Sequence, residues 1–168
     1  MVQKRGADYV KSSEKGPADS QIDDIDRRIL FELERDGRVS VAELSRRVHL
    51  SKTPCQARMK RLEREGYILG YRAVVNPERL GLSHIAFVEV RLSDTRKEAL
   101  EAFSKAVRKL PEVEQAHMIA SSFDYLLKVR TRDIAAYREV LGEQISALPH
   151  VANTSTHVSM EAIKDTPR

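Results

Sequence analysis

The chain has 168 residues, of which 41% are hydrophobic and 32% charged, with a formal net charge of +4. That length admits one or two small domains with real cores, and the mixed signs of the charge confine expected disorder to the ends. No run of 18 apolar residues and no apolar leader occurs, so a membrane partner and secretion are not expected and the protein is read as cytoplasmic. Cys55 is the single cysteine, which excludes an intrachain disulfide, and its place in an apolar stripe makes it a core residue rather than a reactive thiol.

Residues 1–20 are rich in Lys, Ser, Gly and Asp and read as a disordered tail. A first domain is expected over 21–72. Ile25, Ile29, Leu30 and Leu33 mark a helix that stops at Asp36 and Gly37. A second helix runs from Val41 to Val48, with Ser40 as N-cap and Glu43 closing a capping box. Leu44 and Val48 share its buried face. His49 stands in the turn that follows, where a left-handed conformation is expected at a mild cost.

Ser51 is expected to cap a third helix that tolerates Pro54 in its first turn. Cys55, Met59 and Leu62 recur at i, i+4 and i+7 and form its apolar stripe. The other side shows Lys52, Thr53, Gln56, Ala57, Lys60 and Arg61, flanked by Arg58 and Arg64. A basic amphipathic helix alone is more often a solvated surface. Its neighbours change the balance, because three short helices joined by tight turns make a helix-turn-helix core. Gln pairs in two places with adenine and Arg with guanine, while both Lys and Arg hold phosphates, so this face suits base readout and anchoring together. Lys52, Thr53, Gln56, Lys60 and Arg61 are the candidates for groove contacts, Ser51 sits at the helix start, and Arg58 and Arg64 serve phosphate or intradomain pairing. Residues 38–72 hold nine Lys or Arg against three Glu, whereas 76–168 hold 13 of each sign, so the basic excess lies with the recognition helix. Ile68, Tyr71, Ala73, Val74 and Val75, with Gly70 among them, read as a small hairpin or wing.

A linker over 73–82 leads to a second domain over 83–164, with a short tail at 165–168. Residues 83–92 alternate as a strand and 95–110 place Ala99, Leu100, Phe103, Val107 and Leu110 on one helical face, ended by Pro111. Residues 112–120 and 123–132 are two more strands. Residues 133–148 form a helix around Ile134, Tyr137, Val140, Leu141 and Ile145, and 151–163 the last strand. The order strand, helix, strand, strand, helix, strand is the split βαβ, or ferredoxin-like βαββαβ, arrangement, so the fold class is α+β with an N-terminal winged helix-turn-helix. One sheet face would be bare, and with Phe87, Val90, Met118 or Val129 upon it a twofold partner is expected.

The stretch from IDRRIL to VVNP, the S-x-T-P-C start of the third helix and the segment FDYLLK together resemble the Lrp/AsnC, or feast/famine, transcription regulators over about residues 22–164. The resemblance implies a sequence-specific DNA-binding regulator of amino-acid metabolism genes that responds to an amino-acid effector. It implies homodimers that assemble to tetramers or octamers and bind double-stranded, pseudo-palindromic DNA. It also implies an effector site in which Asp124 fixes a loop or the ligand's ammonium, with Met118, Ser121, Ile134 and His157 around it. Ser121 departs from the family's Gly and makes close backbone approach harder there.

An enzyme finds no support in the motifs. The five histidines show no helical metal spacing, and no C-x-x-C, P-loop, G-x-S-x-G or dinucleotide glycine pattern occurs, so neither metal nor cofactor is expected. His117 and His157 would imitate a metal pair only if their strands were adjacent.

Overall fold

The computed structural model describes residues 22–165; the expected tail at 1–20 and residues 166–168 lie outside the described residues. Two compact units divide between Ala73 and Val74.

The first unit is three helices, α1 (Asp24–Arg35), α2 (Val41–Arg47) and α3 (Lys52–Arg64). Ile29, Leu33, Leu44, Val48, Cys55 and Leu62 are its buried core, with Leu30, Met59 and Ile68 packed against them. The apolar periods of all three helices therefore converge inward. Turn chemistry holds the ends. His49 adopts φ 57°, and the amides of His49 and Leu50 donate to the carbonyls of Arg46 (3.2 Å) and Ser45 (2.8 Å). This is the crossed pair that closes a helix on a left-handed residue. Gly66, at φ 77°, closes α3 in the same way.

Two caps differ from expectation. Ser40 accepts from the Glu43 amide at 3.2 Å, but Glu43 does not reach back, because its carboxylate takes Arg47 at 3.0 Å and Arg46. Charged guanidinium partners outcompete a neutral backbone amide. Ser51 occupies the N-cap position of α3, yet its hydroxyl makes no capping hydrogen bond. Pro54 falls at the third helical position and has no N–H to offer.

The full capping box is at α1, where Asp23 accepts from the Asp26 amide at 2.8 Å and Asp26 from the Asp23 amide at 3.1 Å. Asp26 is 0% exposed. A buried carboxylate is tolerable only when paired. Arg58 of α3 donates to Asp26 at 2.9 Å and to Asp23 at 2.6 Å, and Arg61, one turn on, also donates to Asp26. The hydrogen bond from the Asp26 amide, then the one from Arg58, holds the Asp23 carboxyl below the usual range.

The small hairpin or wing expected from Ile68 to Val75 has no strand: residues 68–76 carry none. Ile68 packs on the helical core, and the Tyr71 hydroxyl donates to Glu63 at 3.0 Å. Ile68 and Tyr71 are held by the helical unit instead, while Val74 and Val75 stay exposed. Burial, with Glu63 adding to it, pushes the Tyr71 hydroxyl up to about 12.

The second unit contains β1 (His84–Leu92), α4 (Lys97–Val107), β2 (Val113–Met118), β3 (Tyr125–Thr131), α5 (Ile134–Glu139) and β4 (Val151–Val158). The stretch 73–82, read as a linker, carries a single 3₁₀ turn at Glu78–Leu80. The sheet order is β2-β3-β1-β4, with every pair antiparallel. Ala86, Val88, Val90 and Leu92 of β1 and Tyr125, Leu127 and Val129 of β3 meet Phe103, Val107, Tyr137, Val140 and Ile145 in one core. The helix expected through Leu148 changes to a π-helical turn over Val140–Ile145. Val140 and Ile145 are five residues apart, and the wider turn lets both face the sheet.

The other sheet face is not the apolar one expected. Val90 and Val129 lie inside the core at 0% exposure, and only Phe87 points outward, at 36%. Strand parity decides this, since Phe87 and Val90 are three apart and must face opposite ways. Met118 stands opposite Tyr125 on the helix side, at the exposed end of an edge strand.

Two measurements check this account. Asp26→Ala removes the shared acceptor of Arg58 and Arg61 and should cost the helical unit about 2 kcal/mol, read as faster hydrogen exchange of the α1–α3 amides. An unchanged exchange rate would show that the ion pairs do not hold the helices. His49→Gly relieves a left-handed side chain and should raise stability by about 1 kcal/mol in urea unfolding.

Candidate nucleic-acid interface and effector pocket

The exposed side of α3 follows from its buried side. With Cys55 and Leu62 fixed in the core, Lys52, Thr53, Gln56, Ala57, Lys60 and Arg64 all face away from it. Lys52, Gln56, Lys60 and Arg64 are spaced four apart, so they form one ridge along the helix. It presents cations with one amide among them. Arg64 pairs loosely with Glu65, at 3.6 Å.

The structure separates the other two arginines from this ridge. Arg58 and Arg61 are turned toward α1, each about two-thirds covered, and are bound to Asp26. Burial of a carboxylate under two guanidiniums cannot be read from the period of α3 alone. The double aspartate of the α1 box, three residues apart and ahead of an apolar helix, is the signal that finds it. Ser51 stays exposed with its hydroxyl unspent, beside the first amides of α3.

In the second unit the loop between β2 and β3 is built around Asp124. Its carboxylate accepts from the Leu92 amide at 2.7 Å. Its own amide donates to Val90 and its carbonyl accepts from Ile119, both at 2.9 Å. Asp124 thus clamps the loop to the end of β1. Ser121 and Ser122 are exposed at the tip, and the Ser122 carbonyl accepts from Arg91 Nε at 3.1 Å. Ser121 is not among the residues of positive φ, so the loop runs without the left-handed backbone that would call for Gly.

Beside this loop, on the outer sheet face, lies a polar cavity of about 240 Å³ lined by Glu89, Arg91, Ser122, Phe123, Asn153 and Ser155. Sequence reading missed Glu89, Arg91, Asn153 and Ser155. The alternation of β1 put Glu89 and Arg91 on the face of Phe87 and was the available signal. His157 reaches the same face and its Nε2 lies 3.1 Å from Glu89.

The five expected effector residues do not converge within one chain. Met118, Ser121 and Asp124 lie at one end of β3 and Ile134 beyond the other, about 20 Å away at the rise of a strand. His117 and His157 do not meet either, because β3 and β1 separate their strands. Among the described residues there is no metal-binding cluster, and no helix is long and apolar enough to cross a membrane.

Known proteins share both units. Residues 22–68 match the winged helix-turn-helix DNA-binding model, and residues 85–168 match the Lrp/AsnC ligand binding domain. The chain is 65% identical over 145 residues to a proline dehydrogenase transcriptional activator from Rhizobium radiobacter, covering 86% of this chain and 93% of that protein. It is 48% identical over 156 residues to the leucine-responsive regulatory protein of Escherichia coli K12, covering 93% and 94%. A transcriptional regulator from Neisseria meningitidis, crystallised as an L-Met complex, superposes with a TM-score of 0.80 at 34% identity, over 86% of this chain and 94% of that one. An AsnC family regulator from Agrobacterium tumefaciens gives 0.81 at 34% identity, over 88% and 95%. An exposed basic helix on a helix-turn-helix, joined to a four-stranded antiparallel sheet with its helices, therefore makes this chain a member of the Lrp/AsnC family: a DNA-binding transcription regulator and not an enzyme.

Proposed function

We propose that residues 21–72 read operator DNA through Lys52, Thr53, Gln56, Lys60 and Arg64, and that residues 83–164 bind an amino-acid effector and assemble the oligomer. The observation that carries this is the ridge on α3, four exposed polar or cationic side chains at helical spacing with Arg58 and Arg61 withdrawn from it. Gln56 is the base reader and Lys60 and Arg64 are the anchors. Ser51, its hydroxyl unused by the helix, contacts phosphate together with the first amides of α3. Arg58 and Arg61 act through Asp26, by setting the angle at which α3 is presented.

The effector is a small zwitterion held in the cavity beside the Asp124 loop. At about 240 Å³ the space lies below the ~300–1,000 Å³ of drug-sized pockets, and Glu89 and Arg91 offer opposite charges to an ammonium and a carboxylate. The likeness to proline dehydrogenase activators at 65% and 60% identity supports proline as the first amino acid to test and a proline dehydrogenase gene as the target. Met118, Ser121, Asp124, Ile134 and His157 would share one site only across two copies, and we read the protein as a cytoplasmic homodimer on pseudo-palindromic DNA that builds to tetramers or octamers.

Binding-site selection followed by salt titration tests the DNA reading. Gln56→Ala should relax preference at one base pair per half-site by about 1–3 kcal/mol. Lys60→Gln should weaken all sequences alike and lower the log-log salt slope by about 0.9 per neutralised phosphate lost. Unaltered selectivity and slope would remove α3 from the groove.

Calorimetry against the twenty amino acids tests the effector. Asp124→Ala should abolish the response and leave ligand-free DNA affinity intact. Asp124→Asn keeps an acceptor for the Leu92 amide and should retain the response if the loop clamp is its role. Equal ligand binding by Asp124→Ala and the wild type would defeat the assignment.

A further inference from the structure

The segment that follows α3 forms no strand, yet two of its residues are fixed. Ile68 packs on the helical core. Tyr71 is held at two points along its side chain: its hydroxyl donates to Glu63 Oε1 at 3.0 Å, and a Cβ placed on Gly37 would lie 3.8 Å from its Cδ1. Gly70, at φ 154°, joins the two fixed residues through a backbone angle that favours glycine. Tyr71 therefore ties the C-terminal end of α3 to the turn between α1 and α2.

That tie brings two arginines into one neighbourhood, because Arg38 follows Gly37 and Arg72 follows Tyr71. The Arg38 amide donates to Asp36 Oδ1 at 3.1 Å and the Val39 amide to the Asp36 carbonyl at 3.2 Å, so the turn that carries Arg38 is set in its backbone. Both arginines are exposed, and among the described residues neither enters an ion pair. The arginines of α2 are spent differently, Arg46 on Glu43 and Arg47 on Glu43 and Glu32. A guanidinium with no carboxylate partner, beside one end of a basic ridge, is available to a phosphate. Glu63, the neighbouring carboxylate that would repel one, accepts from Tyr71 instead.

We propose that Arg38 and Arg72 form a second phosphate anchor, which grips one strand of the duplex beyond the C-terminal end of α3, and that Tyr71 is its positioning residue. The inference rests on the reading of α3 as the groove helix and adds a contact outside that helix. Two cations set on separate elements match a repeating line of phosphates and carry no base preference. The anchor takes the place that a hairpin wing would have filled, with one tyrosine doing the work of a strand pair.

Salt titration of the full chain, on a duplex obtained by binding-site selection and on a random-sequence duplex, tests this. Arg38→Gln and Arg72→Gln should each lower the log-log slope by about 0.9 per half-site on both duplexes, with the selected sequence unchanged. Arg28→Gln, which removes an equally exposed and unpaired arginine from α1, should keep the wild-type slope. Tyr71→Phe keeps the ring and loses only the bond to Glu63; it should weaken binding in the wild type and not in Arg72→Gln, whereas a merely structural tyrosine would weaken both alike. Ethylation interference should show the phosphates lost by Arg72→Gln to lie outside those lost by Lys60→Gln. Unchanged slopes in Arg38→Gln and Arg72→Gln, with that of Lys60→Gln lowered, would overturn the anchor and leave the ridge standing; an unchanged slope in Lys60→Gln as well would defeat both. An equal loss in Arg28→Gln, or a flanking base preference that changes in Arg72→Gln, would also overturn the proposal.

Discussion

The carboxylate of Asp26 is the constraint on which the DNA-binding unit depends. It caps its own helix, lies without exposure in the core, and receives two arginines from α3. A buried charge of this kind adds little net stability compared with an apolar residue of the same size. Its contribution is geometric, because only one rotation and register of α3 brings Arg58 and Arg61, three residues apart, onto the same acceptor. That rotation aims Lys52, Gln56, Lys60 and Arg64 outward. Core packing by Cys55 and Leu62 asks for the same rotation, so ionic and apolar demands agree.

A similar division of labour appears in the sheet. The helix-facing side is filled by alternate apolar residues of β1 and β3, which leaves the other side free to carry charge. Glu89 with His157, Arg91 with the Ser122 carbonyl, and Lys128 and Arg130 with Glu114 and Asp165 occupy it. Asp124 hangs the β2–β3 loop from the end of β1, a central strand of the sheet.

Helix and strand placement in this protein was legible because apolar periodicity is a local property. The stripe Cys55, Met59, Leu62, the Ala99 to Val107 face and the alternation of β1 all reappear at their expected places. The left-handed turn at His49 was legible for the same local reason. Local reasoning failed where partners compete or are missing: Glu43 chose arginines over the cap, and Ser51 found no donor N–H at Pro54.

The sequence by itself determined which elements form, their order, the family they belong to and the basic character of α3, because spacing, caps and charge are written along the chain. Tertiary structure decided which arginines of α3 are drawn to α1 and which carboxylates neutralise Lys128 and Arg130. Each of those outcomes depends on a partner 14 or more residues away, such as Asp26 for Arg58 or Asp165 for Arg130, and distance along the chain says nothing of distance in space until the core has closed.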